Sequence, residues 1–264
     1  MSVIVITGGT RGIGLGLARA FLDRGCEVAF CGRTKESVDQ ALTALRSEHS
    51  EGDRVLGIAC DVTDRAQTQE LWDRAAASYG RIDHWINNAG VSTTRGPLWQ
   101  LPAAQLEAVT GINLLGVMNG SAVAVAGMRA QGGGTLWNME GLGSDGRAVP
   151  GLAPYGATKR AVTYLTGALA KELKGGPVKA AHLSPGMVVT DLLMQDYDPA
   201  ELAKAKKIFN ILADRVETVT PWLADQVLAG ARNGGRVAWL TRRKAAARFA
   251  TAPLSKRDLF EDSP

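Results

Sequence analysis

The chain is 264 residues long, 45% hydrophobic and 21% charged, with a formal net charge of +4. That length and balance fit one sizeable α/β domain with a covered core and would leave two independent domains cramped. No apolar run reaches the roughly 18 to 20 residues of a membrane span, and the first strand pattern, SVIVIT, begins at once, which reads as a cytoplasmic protein without a leader or integral membrane contact.

Short β-rich runs then alternate with longer helical patterns. VIVIT predicts a strand followed by a helix from about Ile13 to Arg24, EVAFC a second strand with a helix near Glu36–Glu48, and RVLGIAC a third with a helix over Asp64–Tyr79. IDHWIN, a long helix through Asn113 to Arg129, GTLWNM, a helix from about Tyr155 to Lys174, VKAAHLS and a closing RVAWL continue the rhythm. Strands alternating this way imply right-handed crossovers. The expected fold is a single-domain α/β unit, a Rossmann-type doubly wound parallel sheet of about seven strands with helices on both faces. Cys26, Cys31 and Cys60 lack ligand spacing and fall in or beside strand patterns, so reduced, buried thiols and no metal site are expected. His49, His84 and His182 are scattered and read as structural.

The stretch between Thr190 and Glu217 departs from the rhythm. It is amphipathic and helix-prone where one crossover helix would suffice, and an insertion after a strand's carboxyl end lies over the ligand crevice of an open sheet. Residues 191–216 are therefore the expected lid of a domain spanning residues 1–240. Residues 241–264 form a basic tail, in which Arg242, Arg243, Lys244, Arg248, Lys256 and Arg257 outnumber Asp258, Glu261 and Asp262. The tail reads as a solvated terminus, with peripheral contact to an acidic membrane surface as the lesser alternative. With no basic stripe on a folded element, no nucleic-acid partner is expected.

TGGTRGIG, Thr7 to Gly14, follows the first strand and opens a helix. Gly8 permits a tight turn, Gly12 lets backbone approach a pyrophosphate, Gly14 allows helix-on-strand packing, and the helix N-terminus offers unpaired N–H groups. Where an NAD site would end its second strand with an acid, CGRT places Arg33, and Arg11 lies inside the glycine loop. Two guanidiniums suit a 2′-phosphate, so NADP(H) is the expected cofactor.

With NNAG at Asn87 to Gly90, YGATK at Tyr155 to Lys159 and SPGMVVT at Ser184 to Thr190, the chain resembles the short-chain dehydrogenase/reductases over roughly residues 2 to 240. The resemblance implies a cofactor site that also takes in Thr10, Ile13, Asp61, Val62, Asn88, Ala89, Gly90, Pro185, Gly186, Val188 and Thr190. It further implies Tyr155 as the proton donor to a carbonyl, Lys159 as its electrostatic and cofactor-binding partner, and Asn113 as holder of a relay water. Tyrosine with an unperturbed pKa near 10 is a usable but sluggish acid, and a lysine four residues on shares its helical face.

The family's serine, at the end of the fifth strand, is missing: LWNMEG puts Glu140 and Gly141 there, and Ser144 is the only hydroxyl nearby. On a loop with Gly141, Gly143 and Gly146, Ser144 is the expected hydrogen-bond donor, the alternative being a loop residue whose task has passed elsewhere. Glu140 is expected either to fix that loop through its backbone N–H groups or to serve the substrate. An unpaired carboxylate beside a developing alkoxide is unfavourable, so it should point away or be protonated.

NMEGLGS, with YGATK, SPGMVVTDLL and FNILADRVETV, resembles a narrower group, the chlorophyll b reductases, which use NADPH to convert a formyl to a hydroxymethyl group. The expected substrate is a bulky apolar carbonyl compound, with Leu192, Leu193 and Phe209 of the lid and Trp99 as further substrate candidates. The alternatives are a general aldehyde or ketone reductase of the same family and an NADP-sensing regulator without turnover. The long helices after the fourth and fifth strands resemble those that pair subunits in the family, implying a homodimer or homotetramer.

Overall fold

A computed structural model describes residues 1–49, 52–254 and 257–260. Seven parallel strands form the main sheet: β1 (Val3–Ile6), β2 (Glu27–Gly32), β3 (Val55–Ala59), β4 (His84–Asn87), β5 (Gly134–Met139), β6 (Val178–Ser184) and β9 (Arg236–Ala238), in the order β3-β2-β1-β4-β5-β6-β9. The order reverses between β1 and β4, which opens a crevice at their carboxyl ends.

Both faces of the sheet are covered, so its central strands read as unbroken apolar runs. In β1, Ile4 and Ile6 pack on one side with α1 (Gly12–Leu22) and α9 (Val216–Ala229). Val3 and Val5 pack on the other, with α3 (Arg65–Tyr79) and α5 (Gly116–Ala130). Under the crevice a polar network joins strands to helices: Trp85 Nε1 donates to Asn87 Oδ1, Asn87 Nδ2 to Asn138 Oδ1, and Asn138 Nδ2 to Thr166 Oγ1, at 2.8, 2.8 and 2.9 Å. Satisfied in this way, buried amides fix strand and helix register instead of destabilising the core. All three cysteines are buried and free.

α4 (Ala103–Thr110) runs into α5 through one π turn, Gly111–Leu115. The continuous helix Ala103–Ala130 is long and apolar enough by length and composition to cross a membrane, against the expectation that no such run exists, and half of its apolar window is buried. The expectation counted unbroken apolar runs, whereas a core helix tolerates interspersed polar residues at the same mean hydropathy.

The insertion folds as β7 (Met187–Val189), α7 (Asp191–Met194), α8 (Pro199–Leu212) and β8 (Ala213–Arg215), with β7 and β8 paired as a small second sheet. The tail is only in part the solvated terminus expected, since its helix buries no residue while some of its side chains reach back to the domain. It forms α10 (Arg242–Thr251), and Arg248 and Arg257 converge on Asp214 of β8, a carboxylate that is 3% exposed and also accepts from Trp239 Nε1. Leu259 and Phe260 pack with Phe209 of α8. A buried acid recruits basic partners, which the charge count alone does not show. Lys256, Glu261 and Asp262 lie outside the described residues.

Candidate active site

One cleft of about 660 Å³ opens at the carboxyl ends of the strands. Its wall carries Gly8 and Thr10 to Gly14 of the glycine loop, Arg33 after β2, Asp61 and Val62 after β3, Asn88 to Gly90 after β4, Tyr155 and Lys159, and Pro185 to Val188 with Thr190 after β6. Gly8 and Gly12 have φ of 67° and 53°. A Cβ at Gly8 would lie 2.7 Å from Ala89 Cα, and one at Gly14 would lie 2.6 Å from Asn88 Nδ2. The loop is thus tightly packed, and the first residues of α1, Gly12 to Gly14, lie on the cleft wall, which fits a pyrophosphate. The Asn88 amide braces it by donating to the Thr7 and Gly8 carbonyls at 3.0 and 2.9 Å. Arg33 is exposed on the wall, and Arg11 makes only a 3.9 Å solvent-facing contact with Asp191, so both guanidiniums are free to meet an anion.

Tyr155 stands in the first turn of α6 (Ala153–Glu172), with Lys159 one turn later on the same face. Burial pushes the Tyr155 phenol up to about 12 and lowers the Lys159 ammonium to about 8, with the Glu140 charge pulling Lys159 partly back. Lys159 Nζ donates to the Met139 carbonyl at 3.2 Å and lies 5.8 Å from the Tyr155 ring centroid. Asn113 sits in the π turn, fully buried. Its amide accepts from Val91 N at 2.8 Å and donates to Val91 O at 2.9 Å, clamping the loop after β4. It is not on the cleft wall.

Nor does Ser144 reach the cleft. Its hydroxyl accepts from Gly141 N at 3.1 Å and donates to the Lys159 carbonyl at 3.3 Å, so it ties the glycine loop to α6. Gly141 occupies the place beside the phenol: a Cβ there would come within 2.5 Å of Tyr155 Oη and 3.2 Å of Lys159 Cε. The hydroxyl's hydrogen bonds thus go to Gly141 and to the Lys159 carbonyl, and none goes to the Tyr155 phenol. The glycines favour a turn that closes on the helix and leaves the site's donor set without this hydroxyl.

Glu140 is 4% exposed, and its carboxylate turns onto the neighbouring strands. Oε2 accepts from Arg236 Nε of β9 at 2.6 Å, and Oε1 lies 3.3 Å from His182 Nδ1 of β6. Burial pushes its carboxyl up, but contacts with His182 and Arg236 outweigh this and hold it below the ordinary value. It points away, as expected; its partners are the Arg236 guanidinium and the His182 ring, not loop N–H groups.

Among the substrate candidates, Leu192 and Leu193 line the cleft. Phe209 is buried in the lid's own core, and Trp99 is 83% exposed, away from the wall. The pattern could not separate an apolar residue facing a ligand from one facing its own helix pair. Ser92, Thr93 and Arg95, on the loop after β4, line the cleft and had not been singled out; an arginine directly after NNAGVSTT was the available signal.

A family model for short chain dehydrogenase matches residues 2–201. The chain is 42% identical over 231 residues to the chloroplastic chlorophyll(ide) b reductase NOL of Arabidopsis thaliana, covering 86% of this chain and 65% of that one, so it spans just under two thirds of that relative's length. Among solved structures it superposes on levodione reductase with a TM-score of 0.83 at 25% identity, over 93% of this chain and 98% of that one. A gluconate 5-dehydrogenase from Burkholderia cenocepacia, in complex with NADP and tartrate, gives 0.77 at 29% identity over 90% and 92%. The chloroplastic relative overturns the cytoplasmic expectation. That expectation rested on reading neither a membrane span nor a leader in the sequence, and neither reading fixes a compartment.

Proposed function

The chain belongs to the short-chain dehydrogenase family, and from that premise we propose that it reduces a carbonyl group on a bulky apolar substrate with NADPH, in the manner of a chlorophyll b reductase. The observation carrying this reading is the geometry: Tyr155 and Lys159, one turn apart on α6, share the wall of a cleft that also carries the glycine loop, Arg11 and Arg33. A bound reduced nicotinamide supplies the hydride. Tyr155 Oη donates the proton to the developing alkoxide, and protonated Lys159 stabilises the phenolate left behind. Asn113 holds the Val91 loop in register with this pair. Gly141 leaves room for a substrate oxygen where other members carry a serine. Apolar Leu142, Leu152, Leu192 and Leu193 suit a large flat ligand. The relatives support the chloroplast as the compartment, and exposed Leu115 in the π turn and Met118 on the α5 helix with Tyr164 on α6 support pairing of two chains through these helices.

Following NADPH absorbance with a formyl-bearing chlorin and a panel of smaller aldehydes tests the reading: turnover is expected with the chlorin, and none with any carbonyl compound overturns it. Arg33→Asp is expected to raise the KM for NADPH by about 10-fold or more, through loss of a charge-assisted contact and added repulsion. An unchanged preference for NADPH over NADH in that variant would remove Arg33 from the cofactor site.

The loop geometry yields a paired expectation. Gly141→Ala should lower kcat by about 10- to 100-fold because its Cβ displaces the phenol, whereas Ser144→Ala should act mainly on stability, at about 1 kcal/mol for a lost buried hydrogen bond. A Ser144→Ala enzyme that melts like the parent but turns over much more slowly would restore Ser144 to the chemistry.

A further inference from the structure

Two polar groups on the loop after β4 have no part in the steps above. Thr93 is 1% exposed and on the cleft wall, yet its hydroxyl has no hydrogen-bond partner. Arg95, two residues on and also on the wall, meets only Tyr197 of the lid segment, donating to its hydroxyl and lying 3.9 Å from its ring centroid. Among the described residues, no carboxylate pairs with it. Arg24, Arg236 and Arg248, by contrast, each face an acid.

A guanidinium in an apolar cleft is stabilised when a fixed anion takes its remaining donors, and a planar carboxylate matches its fork. An orphaned buried hydroxyl nearby supplies a further hydrogen bond at no desolvation cost beyond that already incurred. Arg11 in the glycine loop and Arg33 after β2 are assigned above to the cofactor, so they do not account for this pair. We propose that Thr93 and Arg95 form a carboxylate-binding subsite, which selects a substrate carrying a free acid in addition to its reducible carbonyl. The inference rests on the reading of the same cleft as a chlorin site. Within that class it favours the free propionate form over the esterified one. The guanidinium lies over the Tyr197 ring, so an anion bound by Arg95 also engages the lid.

Equilibrium binding of pheophorbide b and of its propionate methyl ester to the NADP-loaded protein, read by chlorin fluorescence, tests the subsite independently of turnover. The acid is expected to bind about 10-fold or more tightly than the ester, the scale of one charge-assisted hydrogen bond. Arg95→Gln should bring that ratio close to one, Thr93→Val should reduce it by a smaller factor, and Arg95→Lys should recover part of it. Loosening of the lid in Arg95→Gln weakens both ligands alike and leaves the ratio intact, so the ratio isolates the charge. Equal binding of acid and ester by the parent, or a ratio that survives Arg95→Gln, overturns the proposal. Acid-selective binding with no NADPH consumption would retain the subsite and reject the reductase reading, whereas turnover of both forms at equal affinity would do the reverse.

Discussion

Tyr155→Phe is expected to lower kcat for carbonyl reduction by about 100- to 10,000-fold, the usual contribution of a positioned general acid, while the protein melts as the parent does. Phenylalanine keeps the ring that packs in the first turn of α6, so what is lost is one hydroxyl and its proton. The direction of the effect follows from burial. With its phenol pushed up to about 12, Tyr155 is protonated throughout the neutral range and is primed to donate to an alkoxide. Lys159, lowered to about 8, is the group that titrates in the working range. Activity that needs its ammonium is complete below that value and falls as pH rises through it. Steady-state rates with saturating NADPH, measured with a thermal melt on the same sample, separate chemistry from folding. A variant retaining more than about a tenth of the parent's kcat would place the proton donor elsewhere in the cleft.

What the sequence made legible here was local. The glycine loop, the tyrosine and lysine one turn apart, and the strand–helix rhythm are all patterns within a few residues, and backbone geometry converts each directly into structure. The features that resisted reading depend on distant or very short segments. Glu140 finds Arg236 across 96 positions, and Asp214 finds Arg248 and Arg257 across 34 and 43, so no spacing rule marks these pairs. β7 and β8 are three residues each and become strands only by pairing with one another. Ser144 shows a different limit: on a loop with Gly143 and Gly146 at positive φ, the same hydroxyl could turn to the cleft or to α6, and packing on Gly156 selects the latter. Phe209 fails for the same reason, since amphipathicity reports that a face is buried but not what buries it.

Glu140→Gln is the second large effect, and it reaches stability and rate through one charge. The amide preserves shape, but Arg236 and His182 lose their shared acceptor anion and Lys159 loses its nearest compensating charge. Breaking a fully buried pair costs about 3–5 kcal/mol. Arg236 is half exposed and can recover hydration, which brings the expected loss to about 1–3 kcal/mol, or roughly 2–10 °C in Tm for a domain of this size. Because the carboxyl is held below its ordinary value in the folded state, its contribution is complete above the ordinary carboxylate range and is lost as pH falls through the depressed value. The gap in Tm between parent and variant should therefore close in acid. The kinetic consequence has the opposite pH dependence: without Glu140 the Lys159 ammonium is less favoured, so the alkaline limb of kcat/KM should move below about 8. Glu140→Asp, which keeps the charge but shortens its reach, should restore that limb more completely than it restores Tm. A limb that stays in place in Glu140→Gln while Tm falls would make Glu140 a brace between β5, β6 and β9, with no electrostatic hold on the catalytic lysine.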